Sequence, residues 1–301
     1  MKRETKLRKL KDSSITRVIP FFTYLFEHYG IGPSWIPTLL GMATKNQDIA
    51  NMMSVMNCSI STDKRKQTTT KQVDSQQNWN DCFEYSIAPS VAFLKWLIEN
   101  PEKLTWPKTK GVEKVFNNLR TQQMRTSLVH PANDGAREVV QQYALHQIEM
   151  ISNRGIVVKA SKDKAEAWVK FEGYTRLDCL LETADFVLAI EGKRNEGVSR
   201  SIHWYPQRNQ IVRNLEVLRE YAGNKQYALI LMNKDGTDPL KDADFALSLP
   251  HMSRKTVQEI SRHYLGSISW REACEVLNVP YSNLPDTVCD AIKQRKGVTH
   301  R

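Results

Sequence analysis

The chain has no C-x-x-C pair and no zinc-type spacing of cysteine and histidine. Its five cysteines, at 58, 82, 179, 274 and 289, are scattered and odd in number. That pattern excludes a disulfide framework and fits reduced thiols in a cytoplasmic protein. No stretch reaches about eighteen apolar residues, so no membrane-spanning helix is expected. A basic start, Met1 to Lys11, precedes the apolar run Val18 to Phe26, but Glu27 and His28 end that run. No small-residue cleavage site follows, which argues against a signal peptide. There is no internal repeat, and no strongly basic amphipathic helix of the kind that lies on anionic membranes.

What the chain does have is length and charge. Its 301 residues, 41% hydrophobic with seven tryptophans, suffice for one large folded domain or two small ones. A net charge of +10 suits a polyanionic partner, nucleic acid first.

The stretch Tyr174 to Lys193 reads as two strands, Leu177–Thr183 and Phe186–Ile190, joined by Ala184-Asp185. That linker has the length of a two-residue hairpin turn. Thr183 then faces Phe186, and keeping the same register places Asp178 opposite Glu191. Directly opposed residues have Cβ atoms roughly 4.5–5.5 Å apart, and like charges so placed repel. Lys193, two residues beyond Glu191, projects from the same face. Two carboxylates and an ammonium on one patch call for a divalent cation, and Mg²⁺ favours carboxylate oxygen.

Asp178, twelve intervening residues, then Glu191-Gly192-Lys193 resembles the PD-(D/E)xK nuclease superfamily, with its restriction-endonuclease-like fold. Leu177 stands where the family name has proline. The likeness runs from about Asn133 to Asn233. It implies an α/β (α+β) core in the order αβββαβ, a mixed sheet flanked by helices, with helical extensions at both ends. It also implies a metal-dependent nuclease hydrolysing phosphodiester bonds, of DNA in the first instance, in defence, restriction or repair. Asp178 and Glu191 would hold Mg²⁺ (or Mn²⁺), the Gly192 carbonyl could add a ligand, and Lys193 would act on the attacking water or the transition-state charge. Gln207 and Gln210 stand where the family often places a glutamine. Glu138, with Glu149 competing, is where some members supply another acidic ligand. The other reading is a nuclease fold that binds nucleic acid without cutting it. No membrane partner is expected, and a homodimer is compatible with the sequence.

The flanking pattern gives three regions. Residues 1–130 read as mainly helical, with a polar loop at 59–78. Ser13 or Ser14 caps a helix to Tyr29, with Ile15, Val18, Ile19, Phe22 and Phe26 on one face and Gly30 as its stop. Further helices are expected over Pro37–Met56, Ser90–Asn100 and Val112–Arg125. Residues 131–250 form the nuclease-like core: a helix capped by Asn133, short strands near Gly155–Lys159 and Trp168–Glu172, the hairpin, a helix from Pro206 to Gly223, and a central strand Tyr227–Met232. In that last helix Ile211, Leu215, Leu218 and Ala222 make the buried stripe, leaving Gln207, Arg208, Gln210 and Asn214 freer to face a site. Arg194, Arg200, Arg208 and Arg213 could line a phosphate path, and His203 reads as a core or loop residue. Residues 251–301 read as helical, and Trp270–Leu284 has the core spacings of a helix-turn-helix.

Overall fold

The computed structural model describes residues 13–61, 79–105, 126–153, 156–157, 172–199 and 205–298. The expected helix Val112–Arg125, strand residues 168–171 and most of the polar loop lie outside these. Ser14–Val18 forms a π-type turn that runs into α1, Ile19–Tyr29. Pro20 sits in the first turn of α1, where a missing N–H costs nothing. The expected apolar face is buried, joined by Phe21 and Leu25. Gly30, at φ +76°, ends the helix. The single helix expected over Pro37–Met56 is two, α2 (Ile36–Gly41) and α3 (Gln47–Ser54), parted at Asn46, whose φ is +49°. Next come β1 (Phe83–Ile87), α4 (Val91–Glu99), capped by Ser90, and α5 (Asp134–Ile151), capped by the Asn133 side chain. Two short strands, β2 (Ser152–Asn153) and β3 (Ile156–Val157), pair with each other and, among the described residues, with no other strand.

The hairpin follows as β4 (Thr175–Glu182) and β5 (Phe186–Gly192). The turn is the expected one, with Thr183 N donating to Phe186 O at 2.9 Å. The register is also the expected one, pairing Cys179 with Ile190, Leu180 with Ala189 and Leu181 with Leu188. Helix α6 runs from Gln210 to Ala222; Asn209 caps it, not Pro206, and Gly223 closes it at φ +61°. Then come β6 (Gln226–Asn233), α7 (Asp242–Ser248), α8 (Arg254–Arg262), β7 (Tyr264–Ser269), α9 (Trp270–Val276) and α10 (Val288–Val298).

The fold is mixed α/β. A five-stranded sheet, ordered β1-β4-β5-β6-β7, is antiparallel across its first three strands and parallel across β5-β6-β7. Three expectations need correction. The third strand beside the hairpin comes from residues 83–87, before α5 rather than after it. The central strand is β5, with β6 next to it. The region after Pro250 is not all helical, because β7 pairs with β6. Its sequence, Tyr-Leu-Gly-Ser-Ile-Ser, is short and half glycine and serine, so burial between neighbours makes it a strand. Gly266 has φ +90°, and a Cβ there would meet Thr44 Oγ1 at 2.0 Å. The helix-turn-helix expectation also fails. Tyr281–Asn283 is one 3₁₀ turn where a second helix was expected, and Ala273, Leu277, Val279 and Leu284 are all spent on the core.

Helices α1, α2, α3 and α9 cover one face of the sheet, around Phe22, Trp35, Leu188, Ile190 and Trp270. Helices α6, α7 and α8 cover the other, around Val187, Ala189, Leu215, Leu229 and Ile260. Residues before 130 and after 250 therefore fill the same core as the hairpin. A smaller cluster joins α4 and α5 to Tyr205. No described helix is long and apolar enough to cross a membrane, and none of the five cysteines is in a disulfide among the described residues.

Candidate active site

Every residue of β5 is buried, so a carboxylate in it needs partners. Glu191 follows Val187 and Ala189 on the α6 side of the sheet. There α6 presents Gln210 and Asn214, four residues apart and hence on one helix face. Gln210 Nε2 donates to Glu191 Oε1 at 2.6 Å, and Asn214 Nδ2 to Oε2 at 2.9 Å. Lys193 Nζ donates to Oε1 at 2.8 Å. Glu191 and Asn214 are wholly buried and Lys193 is 5% exposed. The Lys193 backbone is pinned on both sides: its N–H donates to Met232 O at 2.7 Å, and its carbonyl accepts Trp270 Nε1 at 2.8 Å. Burial disfavours the Lys193 ammonium, but the charges of Glu191, Asp178 and Glu196 outweigh it and raise the pKa. Lys193 is a firmly held cation.

The paired register of β4 and β5 ends at Cys179–Ile190, one residue short of Asp178 and Glu191, and the Asp178 carboxylate turns away from Glu191. Leu177 packs on the α6 side and Cys179 on the α1 side, although strict alternation would put both on one face. The strands change face together here. Glu84 lies across from Asp178 on β1 between the Phe83–Cys179 and Tyr85–Leu177 pairs, at φ +53°. Asp178 Oδ1 accepts the Ser14 hydroxyl at 2.9 Å, and Oδ2 accepts Gly192 N–H at 2.9 Å. A Cβ on Gly192 would project to this same side, 2.2 Å from Val18 and 3.7 Å from Asp178 Oδ2. The two carboxylates thus flank the end of β5 from opposite faces rather than sharing one patch. They meet electrostatically at Lys193, whose pKa both raise.

The remaining expected residues are dispersed. Arg208 is not on a phosphate path. It is buried, bonded to Glu172 and Glu216 at 2.6 Å each and to Ser248 O at 2.9 Å, with its guanidinium 3.6 Å above the Phe93 ring. Its charge holds the Glu216 carboxyl down at about 2 against burial. Arg213 is on α6 near Glu191 and Glu172; burial lowers its pKa, and its Nε has no hydrogen-bond partner among the described residues. Arg194 follows Lys193 in the loop after β5. Gln207 is exposed and accepts the Tyr205 hydroxyl at 3.3 Å, away from Glu191. Glu138 is exposed on α5, which packs against α4, and Glu149 accepts Lys95 at 3.0 Å. Arg200 and His203 lie outside the described residues.

Asn214, Ser14 and Trp270 complete the arrangement. The spacing of Gln210 and Asn214 was visible in the sequence; nothing local marked Ser14, which lies 164 residues from Asp178. Among the described residues no three His, Cys, Asp or Glu side chains form a group spaced for a metal ion. A Mg²⁺ site needs only one or two carboxylates plus waters. Asp178 and Glu191 supply oxygen donors of that kind, and Asn214 Oδ1, beside Glu191, is a buried acceptor without a partner among the described residues. These donor types suit a hydrated hard cation, although the two carboxylates lie on opposite faces of β5 and each already accepts hydrogen bonds from the protein. Comparison with protein-family models, curated proteins and solved structures finds no match to this chain.

Proposed function

We propose that the protein is a metal-dependent nuclease of the PD-(D/E)xK type, acting on nucleic acid through Asp178, Glu191 and Lys193. The observation that carries this reading is the Glu191–Lys193 pair, buried at the end of a central strand and braced by Gln210 and Asn214, with the Asp178 carboxylate at the same strand end on the opposite face. Buried charges cost several kcal/mol each unless well paired, and an isolated structural role would be served as well by apolar residues. Asp178 and Glu191 would hold Mg²⁺ (or Mn²⁺). When bound, such an ion lowers the pKa of its water and shields phosphoryl charge.

The protein's own part is orientation and charge. Gln210 and Asn214 fix the Glu191 carboxylate in one rotamer. Ser14 and Gly192 N–H do the same for Asp178. The Lys193 ammonium, held protonated, donates to a phosphoryl oxygen or to the attacking water rather than removing a proton. The net charge of +10 favours approach of a polyanion.

One feature favours a second reading. Glu191 already accepts three donors, as a purely structural polar network would, which suits a fold that binds nucleic acid without cutting it. Incubating mixed single- and double-stranded DNA and RNA with Mg²⁺, Mn²⁺ or EDTA separates the two. The nuclease reading expects cleavage that needs the divalent ion and disappears in Glu191→Gln. Binding without cleavage under every condition would leave the second reading standing instead.

A further inference from the structure

The parallel strands β5, β6 and β7 all end at the same edge of the sheet. Ligands of open α/β sheets bind outside such carboxyl ends. A cavity of about 190 Å³ lies there, lined by Arg17, Arg194, Asn195, Lys234, Trp270, Tyr281 and Asp286. Each parallel strand contributes the residues that follow it: Arg194 and Asn195 after β5, Lys234 after β6, Trp270 after β7. Arg17 comes from the π turn and is 6% exposed. Its Nη1 is fixed by Thr16 O at 2.8 Å and Pro285 O at 2.7 Å. The cavity thus has a buried, immobilised guanidinium in its wall and two more cations at its rim, against one lining carboxylate, Asp286; the Glu196 carboxylate lies behind the rim, accepting the Arg194 and Asn195 backbone N–H groups at 3.2 and 3.1 Å.

Resting on the nuclease reading, we infer that this cavity is a subsite for the terminal phosphate of a polynucleotide strand. The charge supports a terminal group over an internal one. A phosphate monoester carries about −1.5 to −2 at neutral pH, whereas a diester carries one charge. Three cations facing one carboxylate match the former. The walls are also coupled to the candidate active site: Arg194 is the residue after Lys193, Trp270 holds the Lys193 carbonyl, and the turn that supplies Arg17 supplies the Ser14 bonded to Asp178. A strand whose end sits here is directed toward Lys193, so cleavage would begin near strand ends.

The test uses the full chain in EDTA and fluorescent oligonucleotides that differ only in a 5′-phosphate, a 3′-phosphate or two hydroxyl ends. One phosphorylated end should bind at least about tenfold more tightly than hydroxyl ends, the yield of one charge-assisted hydrogen bond. In the Arg194→Gln, Lys234→Gln double variant that preference should fall below about twofold. Equal affinity for all three ends in the wild type overturns the subsite, even if Mg²⁺-dependent cleavage persists. If no oligonucleotide binds but inorganic phosphate raises the melting temperature of the wild type and not of the double variant, the polynucleotide is overturned as the source of the phosphate.

Discussion

At the scale of single residues, the division of labour among the arginines carries the most information. The sequence offers Arg194, Arg200, Arg208 and Arg213 as equivalent cations near a helix start. Burial separates them: Arg208 is locked between Glu172 and Glu216, while Arg194 lines the cavity beyond Lys193. No local pattern distinguishes these fates, because Arg208's partners lie 36 and 8 residues away and its aromatic partner is Phe93. Arg208→Met should destabilise the protein by about 3–5 kcal/mol, since it strands two buried carboxylates. Denaturant unfolding checks this, and a loss under about 1 kcal/mol would show that the triad is not closed in solution. At Glu191 the prediction concerns activity. Asn214→Ala removes a donor to Glu191 and should lower cleavage by about tenfold or more, because Asn214 positions the Glu191 carboxylate.

At the scale of elements, the end of β5 is the place where sequence and packing constrain each other most tightly. The hairpin and its register were legible because a two-residue turn leaves one pairing in which the apolar residues are buried. Asp178's turn to the α1 side was not legible, for it depends on Glu84 at φ +53° on a strand contributed from the far side of α5. Strand β7 was missed because Gly266 and its serines carry no strand signal, and their burial under Thr44 exists only once the sheet has formed. Gly192 tests the packing directly. Gly192→Ala drives a methyl group against Val18 and should cost about 1–3 kcal/mol. Adding Val18→Ala should recover part of that loss in a double-mutant cycle. Strictly additive losses would mean the two residues do not touch.

At the scale of the whole molecule, acid–base behaviour and catalysis should be separable. Burial, with the Glu216 and Glu172 charges, raises the Glu220 carboxyl to about 7, against a hydrogen bond from Ser90 at 2.6 Å. A carboxyl with a raised folded-state pKa favours the folded state in its neutral form. That contribution is complete below about 4.5, the unfolded value, and is lost as pH rises through about 7. Thermal melts from pH 5 to 8 should show a decline of up to roughly 3 kcal/mol that Glu220→Gln abolishes. An unchanged slope in the variant would assign the decline elsewhere. The catalytic claim is tested most directly by a pair of readings on one preparation of Lys193→Ala: Mg²⁺ binding by calorimetry and single-turnover cleavage. Asp178 and Glu191 are untouched in that variant and a neighbouring positive charge is gone, so Mg²⁺ affinity should stay the same or rise. Cleavage should fall by about 10²-fold or more, as loss of a transition-state donor requires. A Lys193→Ala protein that binds Mg²⁺ and cleaves like the wild type would contradict the account.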